Sequence, residues 1–256
     1  MDGTSALGII QFSFIYLLLI IVLLIMKKSK VGQTKLVLVA SIRMTVQLVL
    51  VGYVLQYIFS NPKPIFTIIF ITLMIIFSIN RVINSRQDLN KNFKVAIAVA
   101  LIFSGISILT FFVVIVVNES VFNPQYTIPL AGMIIGNSMT GLNIGIKTFM
   151  DSINKEKSKI NTLVNLGIEP NDILKPFAIN ALETALIPTL NSMLGMGIIF
   201  LPGMMTGQIL SGTLPTTAIM YQIAIMIAIC TSVCMTVFLA LTFGYKSLYN
   251  NRKQFY

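Results

Sequence analysis

Histidine is absent from this chain of 256 residues, and cysteine occurs only at Cys230 and Cys234. Without histidine, the commonest metal ligand and the commonest general base at neutral pH are both missing. Both cysteines fall inside an apolar run, which rules out a disulfide framework. Charge is scarce too: 10% of the residues are charged, where a soluble domain carries roughly 25%. The eight acidic residues form no clustered pair, so a membrane-embedded acid–base enzyme has no material to work with. No nucleotide motif is present. GIKT at 145–148 approaches a phosphate loop, but Ile146 separates Gly145 from Lys147 and the stretch ends an apolar helix.

What the chain does have is apolar length. It is 56% hydrophobic, with a mean hydropathy of +0.89. So few charges cannot cover a water-facing surface, and the bilayer must act as solvent. The runs are continuous rather than alternating, which predicts helices and not a barrel, because a helix satisfies its own backbone. The pattern predicts an all-α polytopic membrane protein with about seven transmembrane helices, at 7–26, 36–58, 64–80, 94–117, 127–147, 179–201 and 215–243. The third is short, the fifth is glycine-rich and the sixth is interrupted by Pro188. The first lacks a basic leader and a small-residue cleavage site, so it reads as a retained helix rather than a signal peptide. The whole of 1–256 reads as a single membrane domain.

The net charge of +10 would suggest nucleic acid in a soluble protein. Here its placement argues against that. Of the 18 basic residues, all but Lys63 and Arg43 fall in one alternating set of loops and the C-terminal tail. The positive-inside rule then puts the N-terminus outside and the C-terminus in the cytoplasm, and the basic loops read as contacts to anionic lipid.

The cytoplasmic loop between the fifth and sixth helices is the one long polar segment, about 149–178. Asp151 to Asn165 is amphipathic, with Ile153, Ile160, Leu163 and Val164 set against Lys155, Glu156, Lys157 and Lys159. Gly167 suits a left-handed helix end. Pro170 and Asn171 permit a turn, Asp172 can cap, and Ile173-Leu174 begins a short helix stopped near Pro176. This helix–turn–helix fits either a coupling element for a separate motor or an interfacial anchor. In the coupling reading Leu166, Gly167 and Ile168 are central.

Within the spans, Gly132/Gly136 and Gly141/Gly145 form two GxxxG pairs on nearly opposite faces of one helix, which predicts close approach on both sides. Asn137 and Asn143 are membrane amides that need partners. Asn191 to Pro215 is rich in Gly, Pro and Met, and irregular backbone at membrane depth must be buried in protein or line a cavity. Its Met193, Met196, Met204, Met205 and Gln208 suit flexible packing or the passage of a soft metal. Asn137, Asn191, Met204, Met205 and Gln208 are the candidate substrate path. Met226, Cys230 and Cys234 share a face and read as small core residues. Arg43 and Glu183 are the membrane charges, and a brace between them, helped by Gln47, is the expected role.

Several blocks carry a resemblance: RMTVQLVLVGYVL at 43–55, IPLAGMIIGNSM at 128–139, ALIPTLNSM at 185–193, LPGMMTGQILSG at 201–212 and YQIAIM at 221–226. They resemble the FetB family, ABC-transporter permeases linked to iron export, with a plant aluminium-tolerance permease among their relatives. The resemblance implies a permease homodimer working with a separate ABC ATPase that holds ATP-Mg, so that this chain is non-catalytic and binds no cofactor. It implies metal export from a bacterial cytoplasmic membrane, or, within the family, nucleotide-sugar transport. Leu166-Gly167 resembles the LG of the permease coupling loop. Where the wider ABC importer pattern has EAA, this chain has Asn161-Thr162-Leu163, so the acidic anchor is absent; the expected coupling set is Asn161, Leu163, Leu166, Gly167, Ile168 and Asp172. A self-sufficient secondary transporter or channel is the alternative of a different class.

Overall fold

The computed structural model describes residues 8–86 and 89–249, and all of its regular secondary structure there is helical. The elements are α1 (Ile9–Ser13), α2 (Ile15–Lys28), α3 (Thr34–Ser60), α4 (Pro64–Ser85), α5 (Lys91–Phe111), α6 (Pro124–Lys155), α7 (Lys157–Asn165), α8 (Pro170–Gly195), α9 (Gly203–Leu210) and α10 (Pro215–Tyr245). A π-helical turn at Phe112–Val116 extends α5. Proline opens α4, α6, α8 and α10, where its missing N–H costs no hydrogen bond and its fixed φ suits the first turn.

Contacts divide the chain into two units, Met1–Pro62 with Leu210–Thr213, and Lys63–Ile209 with Leu214–Tyr256. In the first unit, α2 and α3 are largely apolar, yet α2 has no buried residue and α3 buries only Ile58. An apolar helix left uncovered by protein is suited to lipid. Within this unit Tyr16 Oη and Thr45 Oγ1 lie 2.7 Å apart and share a hydrogen bond.

The second unit carries the core. Phe93, Ile97, Leu101, Ile134, Leu142, Phe149, Leu174, Ile225, Val233 and Val237 are buried there. Five helical stretches are long and apolar enough to cross a membrane: Ile10–Lys28, Thr34–Ser60, Pro64–Ser85, Lys91–Val116 and Pro215–Tyr245. With 32 and 26 residues, α6 and α8 have the length but are more polar. α6 packs against α4, α5, α8 and α10, and a helix sheathed by other helices need not be greasy.

Several helix ends differ from the sequence reading. The third span is not short, because α4 runs on to Ser85 through Arg81, whose long side chain stays exposed. The amphipathic stretch from Asp151 is two helices: α6 continues to Lys155, and α7 begins after Glu156. The helix after the glycine turn does not stop near Pro176 but continues as α8 through both Pro176 and Pro188. Beside Pro188, the hydroxyls of Thr184 and Ser192 donate to the carbonyls of Asn180 and Pro188, at 2.8 and 3.0 Å. Such bonds help a membrane helix tolerate proline. The interruption comes instead after Gly195.

Candidate functional site

After Gly195 the backbone turns back on itself. A Cβ on Gly195 would sit 2.9 Å from the Phe200 ring, and Gly197 takes φ +79°, a left-handed conformation natural to glycine. Gly197 N–H donates to Phe200 C=O at 3.1 Å, and α9 starts three residues after Phe200. This link, with α6, α8, α9 and α10, lines an open cavity of about 280 Å³. Met133, Met196, Met204 and Met226 bring thioethers to it, and Asn137, Thr140, Thr189, Ser192 and Gln222 bring uncharged polar groups. A second cavity of about 500 Å³ shares Met196, Gln222 and Met226 with the first and adds Met193 and Met205.

Gln222 is the unusual residue. It is 5% exposed. Its Nε2 donates to Met196 Sδ at 3.7 Å, and its Oε1 has no hydrogen-bond partner among the described residues. Neither cavity is lined by a carboxylate. Among the described residues there is no group of three or more His, Cys, Asp or Glu that could hold a metal ion. The lining is soft and carries no charged side chain.

Of the residues expected along a substrate path, Asn137 and Met204 line the first cavity and Met205 the second. Asn191 and Gln208 line neither; Asn191 is exposed and Gln208 half-buried. Asn137 Nδ2 donates to Met133 C=O at 2.7 Å. Sequence reasoning missed Gln222. The available signal was a lone amide inside a long apolar helix, where a polar group is retained at a cost.

The glycine pairs explain how α6 reaches its neighbours. A Cβ on Gly141 would lie 2.6 Å from Val233 Cγ1, and one on Gly145 would lie 2.9 Å from Val237 Cγ1. That pair is the close seam to α10. On the other pair, Gly132 faces Met74 of α4, but Gly136 has open space around it. Hydroxyl contacts reinforce the seam: Ser138 and Ser232 share a hydrogen bond at 2.8 Å, and Ser104 pairs with Thr236. Asn143 finds its partner in Ser85, whose Oγ donates to Asn143 Oδ1 at 3.0 Å. Cys230 and Cys234 are free and half-buried and line neither cavity.

At the polar end, α7 stops in a Schellman motif. Gly167 N–H donates to Val164 C=O at 2.9 Å, and Ile168 N–H donates to Leu163 C=O at 3.2 Å. Gly167 takes φ +85°, as this motif requires. Leu163, Ile168 and Asp172 share a small groove with Ile160, Ile173 and Phe177. Leu166 is left 73% exposed, and Asn161 is exposed as well. Asp172 is not the cap of the next helix. Pro170 occupies the first helical position, so Glu169 is the N-cap residue and Asp172 falls inside the first turn, where its charge favours the helix dipole.

Bonds from other elements hold this end in place. Arg86 pairs with Asp151 at 2.7 Å. Ser247 Oγ donates to Asn90 Oδ1 at 3.0 Å. Tyr249 Oη donates to Asn171 Oδ1 at 2.7 Å. Burial, aided by Tyr245 and Glu169, raises the Tyr249 pKa above its ordinary value, so the hydroxyl stays a donor at neutral pH. Arg43 lies exposed on α3 of the first unit, and Glu183 lies exposed on α8 of the second.

Residues 9–249 match the model of the uncharacterised protein family UPF0014. The membrane protein YjkA of Bacillus subtilis is 30% identical over 96% of this chain and 97% of its own length. The probable iron export permease protein FetB of Escherichia coli is 32% identical over 93% of this chain and 91% of its own. ALUMINUM SENSITIVE 3 of Arabidopsis thaliana is 33% identical over 72% of this chain and 66% of its own. No solved structure matches significantly. The family model and the two bacterial relatives span nearly the whole chain, with its apolar helices and its cavity-lining segments. The protein is therefore a multi-pass membrane protein of the UPF0014 family.

Proposed function

We propose that this chain is the membrane-spanning permease subunit of an ABC transporter that exports metal ions, iron among them, powered by a separate ATPase. The observation that carries the reading is the α7–α8 turn. It is a glycine-terminated turn with an exposed leucine, on a chain whose sequence carries no nucleotide motif. Support comes from the name of the Escherichia coli relative, a probable iron export permease. In this reading the permease is a homodimer in a bacterial cytoplasmic membrane, with about seven spans once α6 and α8 are counted. The N-terminus is outside and the coupling segment is in the cytoplasm.

Two experiments test the reading as a whole. Cysteines introduced at Asn61 and Asn123 should react with an impermeant maleimide applied outside, and one at Asn161 should not. Labelling of Asn161 from outside overturns the orientation. In proteoliposomes holding the chain and its ATPase, metal flux should require ATP. Equal flux without the ATPase favours a self-sufficient secondary transporter or channel, and flux of a nucleotide sugar alone favours that cargo.

A further inference from the structure

We propose that Met196, Met204, Met226 and the Gln222 amide oxygen, with Met133 nearby, form a binding site for a soft monovalent cation of the Cu(I) or Ag(I) class. The inference deepens the metal-export reading and rests on it for its transport meaning, but the binding stands on this cavity alone.

Two independent observations carry it. The first is the donor set. Met133, Met196, Met204 and Met226 line one cavity of about 280 Å³ that holds no carboxylate. Thioethers are neutral, polarisable ligands that select soft ions, whereas iron in its common states is better served by imidazole or carboxylate. Charge points the same way. Solvation cost rises with the square of charge, so a divalent ion that sheds water to enter a site without charged groups pays about fourfold what a monovalent one does. With no anion in the lining to offset that cost, a monovalent cation is favoured. The second observation is Gln222. Its side chain is 5% exposed and lines both cavities, and its carbonyl oxygen is unsatisfied among the described residues. A buried acceptor without a donor is a group that a cation would satisfy. Plain packing explains flexible methionines, but it does not explain a buried, unpartnered amide oxygen among them. Met196, Gln222 and Met226 belong to both cavities, so a cation held there is in reach of either.

The test is a silver titration. Ag(I), added as the nitrate in chloride-free buffer, replaces the air-sensitive Cu(I). The protein is the full chain with Cys230→Ser and Cys234→Ser, since both thiols are free and would bind silver themselves. Bound silver is measured after dialysis against a graded competing thioether. One Ag(I) per chain is expected. Met196→Leu and Met226→Leu, each alone, should weaken binding about tenfold, and Gln222→Leu severalfold. Met220→Leu, exposed and outside both cavities, should leave binding unchanged. Leucine conserves volume at these positions, and thermal unfolding of each variant shows that it is folded. If the methionine variants are lost to misfolding, Gln222→Leu decides. No silver bound, or silver bound equally by all variants, returns these residues to packing and sinks the proposal. Anaerobic Fe(II) bound as tightly, and with the same methionine dependence, sinks the soft-cation class. ATP-driven iron flux with no silver binding overturns this inference and leaves the permease reading standing. Silver binding without ATP-driven flux of any metal supports the site and removes the permease reading.

Discussion

Gly167→Val is expected to strip the ATPase from the solubilised complex while the membrane helices still insert. Gly167 sits at φ +85° with no atom within 4 Å of where a Cβ would stand. Crowding therefore plays no part, and the penalty is purely conformational. A left-handed residue costs an ordinary side chain about 1–2 kcal/mol, and a β-branched one more. That energy equals or exceeds the two turn-closing bonds made by Gly167 and Ile168, each worth about 1 kcal/mol net. The Schellman turn should open, moving Leu166 and Ile168 out of register with each other. Since 1.4 kcal/mol is tenfold in affinity, a loss of about tenfold or more in ATPase co-purification is expected. Gly167→Asn is the control, because asparagine tolerates the left-handed region and the surrounding space is open. Leu166→Asp with Ile168→Asp keeps the turn and removes the apolar anchor, so it should match the valine variant. Full ATPase recovery and unchanged transport in both would make this segment an interfacial anchor rather than a docking site.

The Gly167 turn was legible in the sequence because its cause is local. A glycine after an amphipathic run, with proline three residues on, specifies a helix end from nearest neighbours alone. Pro188 was read by the same local rule and misled. A proline inside a helix costs one backbone bond, and the packing of α8, with Ala181 and Ala185 buried on either turn before it, outweighs that loss. The five apolar stretches were visible because length and composition decide them. The identity of α6 as the sheathed central helix depends on which helices surround it, and no pattern within its own sequence gives that. Gln222 was invisible as a site residue for the same reason. Its partner Met196 and its cavity neighbour Met133 come from distant segments, and only the fold reveals that its oxygen has no donor among the described residues. The expected path residues divided accordingly: Met204 and Asn137 reach the cavity, while Asn191, on the same helix as Ser192, points elsewhere.

Gly141→Ala should destabilise the protein, although alanine is the better helix former. Two effects of opposite sign compete. Exchanging glycine for alanine in a helix interior gains about 1 kcal/mol. Against this, the new Cβ would sit 2.6 Å from Val233 Cγ1 and 3.6 Å from Val237 Cγ2. A helical valine has essentially one side-chain rotamer, so Val233 cannot swing aside, and α6 must part from α10. Overpacking of this kind costs about 1–3 kcal/mol. The separation also strains the Ser138–Ser232 bond of 2.8 Å, whose loss leaves two buried hydroxyls and adds about 1 kcal/mol or more. The clash therefore wins, by about 1–3 kcal/mol. Gly136→Ala, one GxxxG pair earlier, meets nothing within 4 Å and should be neutral or stabilising by up to about 1 kcal/mol. A maleimide dye that reacts with the half-buried Cys230 and Cys234 as they become exposed reports unfolding without tryptophan. The expected order of midpoints is Gly136→Ala at or above the parent, and Gly141→Ala below it by several degrees, at roughly 2–4 °C per kcal/mol. Val233→Ala added to Gly141→Ala removes the opposing methyl and should restore part of the loss, a coupling that two unrelated defects would not produce. Because Gly141 also lines the first cavity, the single variant should lose metal flux along with stability, and the rescued pair should recover both together. A Gly141→Ala protein as stable as the parent would mean that α6 and α10 do not meet this closely, and the cavity they line with α8 and α9 would have to be redrawn.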